Sequence, residues 1–328
     1  MATSTSRNST STPQEVLEQG LGRWYGRPVR ITALRQVAMD GFSTNPVSRL
    51  EVTLDTGAQL PVIFKRFLGK AARDIAQEIW VYQDVLANRR FDAPALYAAI
   101  DDDSTNRHWL FLEDVGDWRL EYCETDVWAA AFRWLGRMHA AFHGQAEELV
   151  ASGHLPEHDP AFYRALAGFA RQTLARRGAP EELGRFDRLM GQGLDRAITE
   201  LGGVPRTLVH GDFLCHNIMV QDGSRIRPLD WEWAAIGVPA WDVVRLLDGW
   251  GDERDRFLTA YADAMSKQAT IATDSRALEN SLAHCRVMLK LWRIRWWAKA
   301  CQEPGGVNRI LNSIETIWGD LESEVSHV

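Results

Sequence analysis

Residues 208–220 read LVHGDFLCHNIMV, and this stretch constrains the fold more than any other. Leu208 and Val209 on one side, and Ile218, Met219 and Val220 on the other, have the composition of buried strand. Between them stand His210, Asp212, His216 and Asn217. A polar group buried without a partner costs about 1 to 3 kcal/mol, and an ionised carboxylate more. The chain therefore has to bring compensating groups to this point.

The sequence continues NIMVQDGSRIRPLDWEW, in which Asp222-Gly223 is a hairpin signal between two apolar runs. Folding the chain about that turn sets Asn217 opposite Asp230, with Cβ atoms roughly 4.5 to 5.5 Å apart. An amide oxygen and a carboxylate so placed suit one Mg²⁺ ion, whose ligand distances are about 2.0 to 2.1 Å. Asp212 lies in the connection leading into the first hairpin strand. From there its carboxylate is placed to orient an attacking hydroxyl and accept its proton beside a metal-bound phosphate.

The ordered set His210-Gly211-Asp212, Asn217 and Asp230-Trp231-Glu232 resembles the HGDxxxxN and DxE motifs of the aminoglycoside phosphotransferase and choline kinase-like enzymes, small-molecule relatives of protein kinases. The resemblance implies Asp212 as catalytic base, Asn217 and Asp230 as Mg²⁺ ligands, and Glu232 close to the metal. It also implies that Asp242, in GVPAWDVVRLL, braces the catalytic loop. His210 reads as a hydrogen-bonded loop anchor, and Cys215 and His216 as structural residues.

Enzymes of that kind need a phosphate-gripping lysine with an acidic partner on a helix. Lys65 sits in the apolar strand LPVIFKRF, on the same face as Ile63 and Phe67. The chain has 5 lysines against 32 arginines, so a lysine inside an apolar strand stands out. A compact ammonium at the α- and β-phosphates is the kinase reading. In KAARDIAQEIWVYQDVLAN, residues Ile75, Ile79, Tyr82 and Leu86 form one helical face, and Glu78 on its flank is the expected partner of Lys65, with Asp74 as the alternative. Ser43, Thr44 and Asn45 in MDGFSTNPV look like the family's short phosphate loop, although no GxGxxG or Walker motif is present. Residues 111–115 resemble the hinge whose backbone contacts adenine, which places Glu113 and Val115 at the nucleotide.

Short β-like runs occupy residues 30–67, followed by the helix above and the strand-like HWLFLEDVGD. Beyond Asp117 long helical patterns dominate, and Asp159-Pro160 reads as an N-cap with proline at the first helical position. The expected fold is α+β, a bilobal protein-kinase-like fold. Residues 1–13 form a disordered N-terminus, 14–115 a nucleotide-binding N-lobe with a small antiparallel sheet, and 116–328 a larger helical C-lobe carrying the catalytic loop and acceptor-binding helices. His139, in LGRMHAAFHG, reads as a satisfied core histidine. Residues 281–302 carry Arg286, Lys290, Arg293, Arg295 and Lys299. They read as a core helix with a solvated basic face, an anionic or aromatic acceptor pocket being the alternative.

A net charge of -7 argues against nucleic acid as a partner. Cys123, Cys215, Cys285 and Cys301 show no metal-ligand or disulfide spacing, and no apolar run approaches the roughly 18 residues of a membrane span. A cytoplasmic protein with no membrane partner is expected, of open oligomeric state. The expected reaction is transfer of the ATP γ-phosphoryl group, with GTP as the other candidate donor, to a small-molecule hydroxyl such as that of an aminoglycoside-like antibiotic, an amino sugar or a similar alcohol. Two alternatives stay open: a catalytically inactive nucleotide-binding scaffold, and a protein kinase. Against the latter stand HGD in place of HRD and the short run from Asp230 to Pro239.

Overall fold

A computed structural model of the chain describes residues 11–39, 45–68, 72–87, 91–178, 180–269, 275–296 and 305–325. In chain order the elements are α1 (Pro13–Tyr25), β1 (Ile31–Ala38), β2 (Val47–Leu54), β3 (Gln59–Arg66), α2 (Ala72–Trp80), β4 (Leu96–Asp102) and β5 (Arg107–Glu113). Then come α3 (Thr125–Phe142), α4 (Ala146–Ala151), α5 (Pro160–Arg177), α6 (Pro180–Gly202), β6 (Thr207–Val209), β7 (Ile218–Gln221), β8 (Arg225–Pro228) and β9 (Ala235–Gly237). The chain ends with α7 (Ala240–Leu247), α8 (Arg254–Ala269), α9 (Ser275–Trp296) and α10 (Gly306–Val325).

These elements form two compact units. The first contains residues 1–122 and 215–233, the second residues 123–214 and 234–328. The expected boundary near residue 115 therefore lies a few residues early, and the hairpin segment 215–233 groups with the sheet rather than with the helices.

In the first unit the strands form an antiparallel sheet in the order β1-β2-β3-β5-β4. Burial alternates strictly along β2, as a sheet with one packed face requires. Leu50, Val52, Val62, Phe64 and Phe111 pack with Val16, Leu17 and Leu21 of α1 in one core cluster. Helix α1 begins with a capping box, in which Thr12 and Glu15 each satisfy the other's backbone N–H, and Pro13 occupies its first turn. It lies so close on β4 that a Cβ at Gly20 would stand 2.3 Å from the Tyr97 carbonyl oxygen.

Lys65 belongs to the other face of β3, with Ile63, where α2 supplies the cover. Past Trp80 that helix continues as a π-helix, Val81–Leu86. The wider winding rotates the buried stripe, so Val81 and Val85 join Ile75, Tyr82 and Leu86 in the core while Ile79 is only partly buried.

The second unit is mainly helical. Asp159 caps α5, accepting from the Phe162 N–H at 2.7 Å, and Pro160 follows as expected. Gly136 allows α3 to press on α8, where a Cβ would meet the Tyr261 carbonyl oxygen at 2.5 Å. The short pair β6–β9 lies among these helices and ends at residue 209, immediately before His210.

Candidate active site

In the first unit four charged side chains converge. The Lys65 ammonium donates to both oxygens of Glu78, at 2.9 and 3.2 Å, and to Asp230 Oδ1 at 2.5 Å. Glu232 Oε2 lies 3.9 Å away. Lys65 is 7% exposed and Glu78 fully buried, so this cluster is largely withdrawn from water. The Lys65 ammonium also lies over the Phe67 ring, 4.7 Å from its centroid. Burial by itself pulls a lysine's pKa down, but Glu78, Asp230 and Glu232 together outweigh it and hold Lys65 charged, well above its ordinary value. For Glu78 the balance runs upward to about 7, because burial and the nearby Asp230 and Glu232 oppose the pull of Lys65.

One oxygen each from Glu78, Asp230 and Glu232 lies within 4.8 Å of the others. Three carboxylates thus share one ammonium. Gln77 Nε2 fastens the turn that carries Glu232 by donating to its backbone oxygen at 3.1 Å.

The hairpin carrying Asp230 departs from its expected register. Ile218 pairs with Pro228 and Gln221 with Arg225, which leaves three residues, 222–224, in the turn and centres it on Gly223 rather than between Gly223 and Ser224. Asp222 and Gly223 both take positive φ there, 50° and 77°. Asn217 consequently stands opposite Leu229, whose N–H donates to its carbonyl at 2.8 Å, and Asp230 lies one residue further along with φ 65°. Asn217 and Asp230 share one end of the hairpin but are not cross-strand partners.

The remaining nucleotide-site expectations are distributed as follows. Asn45 is buried, and its side-chain oxygen accepts from the Leu68 N–H at 3.4 Å. Ser43 and Thr44 lie outside the described residues, as does the side chain of Asp74. Glu113 ends β5. Its N–H donates to the Ala95 carbonyl, and its carboxylate meets the buried Arg227 guanidinium at 2.5 Å. Val115 is buried two residues on. Arg49 of β2 grips Asp114 and Asp117, which flank this segment.

The second unit carries the loop after β6. Asp242, fully buried at the start of α7, accepts from the His210 N–H at 2.7 Å with one oxygen and from the Gly211 N–H at 2.9 Å with the other. Trp241 Nε1 donates to the Gly211 carbonyl at 3.0 Å. Gly211 adopts φ 82°, which brings two successive N–H groups onto one carboxylate. Burial would raise the pKa of Asp242, yet its hydrogen bonds and the neighbouring His139 and His210 hold it below the ordinary value. His139, itself buried, sits between Asp242 and the Tyr261 hydroxyl. His210 is buried, and its Nδ1 receives the Asp212 N–H at 3.3 Å.

The sequence reading missed one neighbour of Asp212. Arg245 Nη1 donates to Asp212 Oδ1 at 2.5 Å. Arg245 lies three residues after Asp242 on the same helix, so the signal was the i, i+3 spacing that puts both on one face.

The chain matches the family model for the phosphotransferase enzyme family over residues 45–278. No curated protein matches it significantly in sequence. Among solved structures it is similar to macrolide 2'-phosphotransferase MphH of Brachybacterium faecium, at 17% identity over 90% of this chain and 96% of that one, TM-score 0.54. It is also similar to the ADP-bound aminoglycoside phosphotransferase APH(2'')-Ib, at 15% identity over 90% and 96%, TM-score 0.57. A third likeness is to choline kinase LicA of Streptococcus pneumoniae, at 16% identity over 94% and 100%, TM-score 0.56. The fold is the protein-kinase-like one these enzymes share, and this chain belongs to the phosphotransferase enzyme family, as a small-molecule kinase.

Proposed function

We propose that the chain moves the γ-phosphoryl group of ATP, or of GTP, to a hydroxyl of a small molecule, with Asp212 as the base. The observation that carries this reading is the buried ammonium of Lys65 held by Glu78 and facing Asp230 and Glu232. An ammonium fixed in that way offers positive charge to nucleotide phosphates without reorganising during the reaction. The donor set also fits a hard divalent cation, because one oxygen from each of three carboxylates converges there, as oxygen ligands for such an ion must. Asp230 and Glu232, with Asn217 at the same hairpin end, are the residues that would hold Mg²⁺. When bound, the ion supplies charge neutralisation at the transferring phosphate.

Asp212 is held for its role by its surroundings. Asp242 and Trp241 fix the backbone before it, and Arg245 fixes one carboxylate oxygen. An acceptor hydroxyl would donate to the Asp212 carboxylate and, as the phosphoryl group moves, lose its proton to it. In this reading backbone around Glu113 and Val115 contacts the adenine, and Asn45 belongs to the segment at the phosphates. No described helix is long and apolar enough to cross a membrane.

The test is an acceptor screen with mass detection of the phosphorylated product, run on the wild type and Asp212→Ala. Turnover in the wild type and a fall of about 10³-fold or more in the variant are expected. Wild-type turnover in the variant removes Asp212 from the chemistry. Nucleotide binding with no turnover on any acceptor would point to a scaffold.

A further inference from the structure

Helix α9 carries Arg286, Lys290 and Arg293 at i, i+4 and i+7, one stripe along its side. Its other faces are core: Leu282, Cys285, Val287, Met288, Leu291 and Ile294 are all buried. A solvated basic face would leave its cations in water, and Arg293 is indeed half exposed and paired with Asp248 at 2.8 Å. Arg286 and Lys290 differ from it. Both are partly buried, and among the described residues neither has a carboxylate at ion-pair distance. Burial lowers the pKa of each, and the cations around them lower it further: Arg254 for Arg286, and Arg293 with Arg286 for Lys290. Of the acids in reach, Asp248 is taken by Arg293 and Glu279 by Arg254.

This stripe adjoins the loop described above. Arg245, which bonds Asp212, lies over the rings of Trp241 and Trp292 at 6.0 and 5.8 Å, and Arg293 of the stripe is close enough to Arg245 to lower its pKa. From Arg293 the stripe runs back to Arg286 over seven residues, roughly 10 Å of helix rise. Arg245, Arg254, Arg286, Lys290 and Arg293 are thus five cations whose ion-pair partners are the four carboxylates of Asp212, Asp248, Asp255 and Glu279, in a chain whose net charge is -7. Partly buried cations without counter-charges are costly unless an anion visits them.

We infer that Arg286 and Lys290 form an anion-recognition site, and that the acceptor is a hydroxyl compound bearing a carboxylate or phosphate group rather than a polycation. The inference rests on the reading of Asp212 as base for the word acceptor, but the anion site itself does not. On this reading the acceptor presents its hydroxyl to Asp212 and its negative group to α9. A polycationic aminoglycoside would bring its ammonium groups against Arg245, Lys290 and Arg293, a repulsion that works against binding.

The site is tested by calorimetric titration of the full chain with inorganic phosphate at low ionic strength, with Mg²⁺ and a non-hydrolysable ATP analogue saturating the nucleotide site. Phosphate binding by the wild type, weakened at least tenfold in R286Q/K290Q and restored towards wild type in R286K/K290R, is the expected result. No phosphate binding in the wild type, or equal binding in R286Q/K290Q, overturns it. Because this readout needs no turnover, an inactive protein that binds phosphate through these two residues sinks the phosphotransfer reading and leaves the anion site standing. In the acceptor screen, phosphorylated products are expected from carboxylate- or phosphate-bearing alcohols. A polycation phosphorylated equally well by the wild type and R286Q/K290Q overturns the acceptor class.

Discussion

A lysine rather than an arginine at position 65 is informative because the chain uses arginine almost everywhere else. A guanidinium is a planar fork that suits two oxygens of one carboxylate, whereas an ammonium is a compact point charge able to serve Glu78 and Asp230 at once. Its removal strands a fully buried carboxylate. Lys65→Met is expected to cost about 3 to 5 kcal/mol in urea denaturation, and Glu78→Gln added to it to recover part of that loss. Additive losses in the double variant would mean that the two charges do not depend on each other. Arg245 acts at the same scale through Asp212. Arg245→Gln is expected to lower kcat by roughly 10- to 100-fold with little change in KM for the nucleotide, since it frees the carboxylate without touching the lysine cluster. Equal losses in kcat and in nucleotide affinity would reduce Arg245 to a structural residue.

Among the elements, what the sequence made readable was set by local signals. The long helices declared themselves through apolar periodicity and, at Asp159-Pro160, through cap chemistry. The capping box at Thr12 and Glu15 was equally local, yet a Ser/Thr-rich start masked it, and the expected disordered N-terminus ran to residue 13, the first residue of α1. Lys65 and Glu78 were legible because strand alternation and helical spacing fix their faces. The hairpin register was not, since the Asp-Gly signal marks where the chain turns but not how many residues the turn takes; a three-residue turn centred on Gly223 sets Asn217 against Leu229 instead of Asp230. Arg227 shows a second limit: it reads as an ordinary strand arginine, and only tertiary packing buries it against Glu113 and the Ala93 carbonyl. His158 is a further case, and it sets a pH dependence. It is buried, stacked on Phe162 with ring centroids 4.1 Å apart and close to Trp241, and its Nδ1 has no hydrogen-bond partner among the described residues. Burial drives its pKa down to about 3 from an ordinary value near 6.5. Between those values the unfolded chain takes up a proton that the folded chain refuses, so stability falls as pH falls. In His158→Phe that contribution disappears, and the stability lost between pH 7 and pH 5 should be smaller by about 2 kcal/mol. Parallel stability-pH curves for the two proteins would refute the assignment.

For the whole molecule, the decisive fact is that the first unit is discontinuous in sequence. Its sheet is complete by residue 113, but two of the three carboxylates around Lys65, Asp230 and Glu232, arrive about a hundred residues later with the hairpin. The hairpin is fastened to the earlier residues at several points. Arg227 reaches Glu113 and the Ala93 carbonyl, Arg225 reaches Asp92 at 2.8 Å, the Val220 N–H donates to the Trp118 carbonyl, and Met219 bridges Arg119. The turn at Leu120–Tyr122 touches the turn at Cys215–Asn217, so the chain leaves this unit and re-enters it at neighbouring points. A short flexible linker can close that gap at small entropic cost. A fragment of residues 1–122 should therefore lack a cooperative melt, because Glu113 loses its buried partner and the face of the sheet that carries Lys65 loses the hairpin. The same fragment joined by a Gly/Ser linker to residues 215–233 should melt cooperatively, and Mg²⁺ with ATP should raise its midpoint if Lys65, Glu78, Asp230 and Glu232 suffice for the nucleotide's phosphates. Circular dichroism melts of the two fragments decide it. Equal cooperativity without the hairpin would show that residues 215–233 decorate the unit rather than complete it.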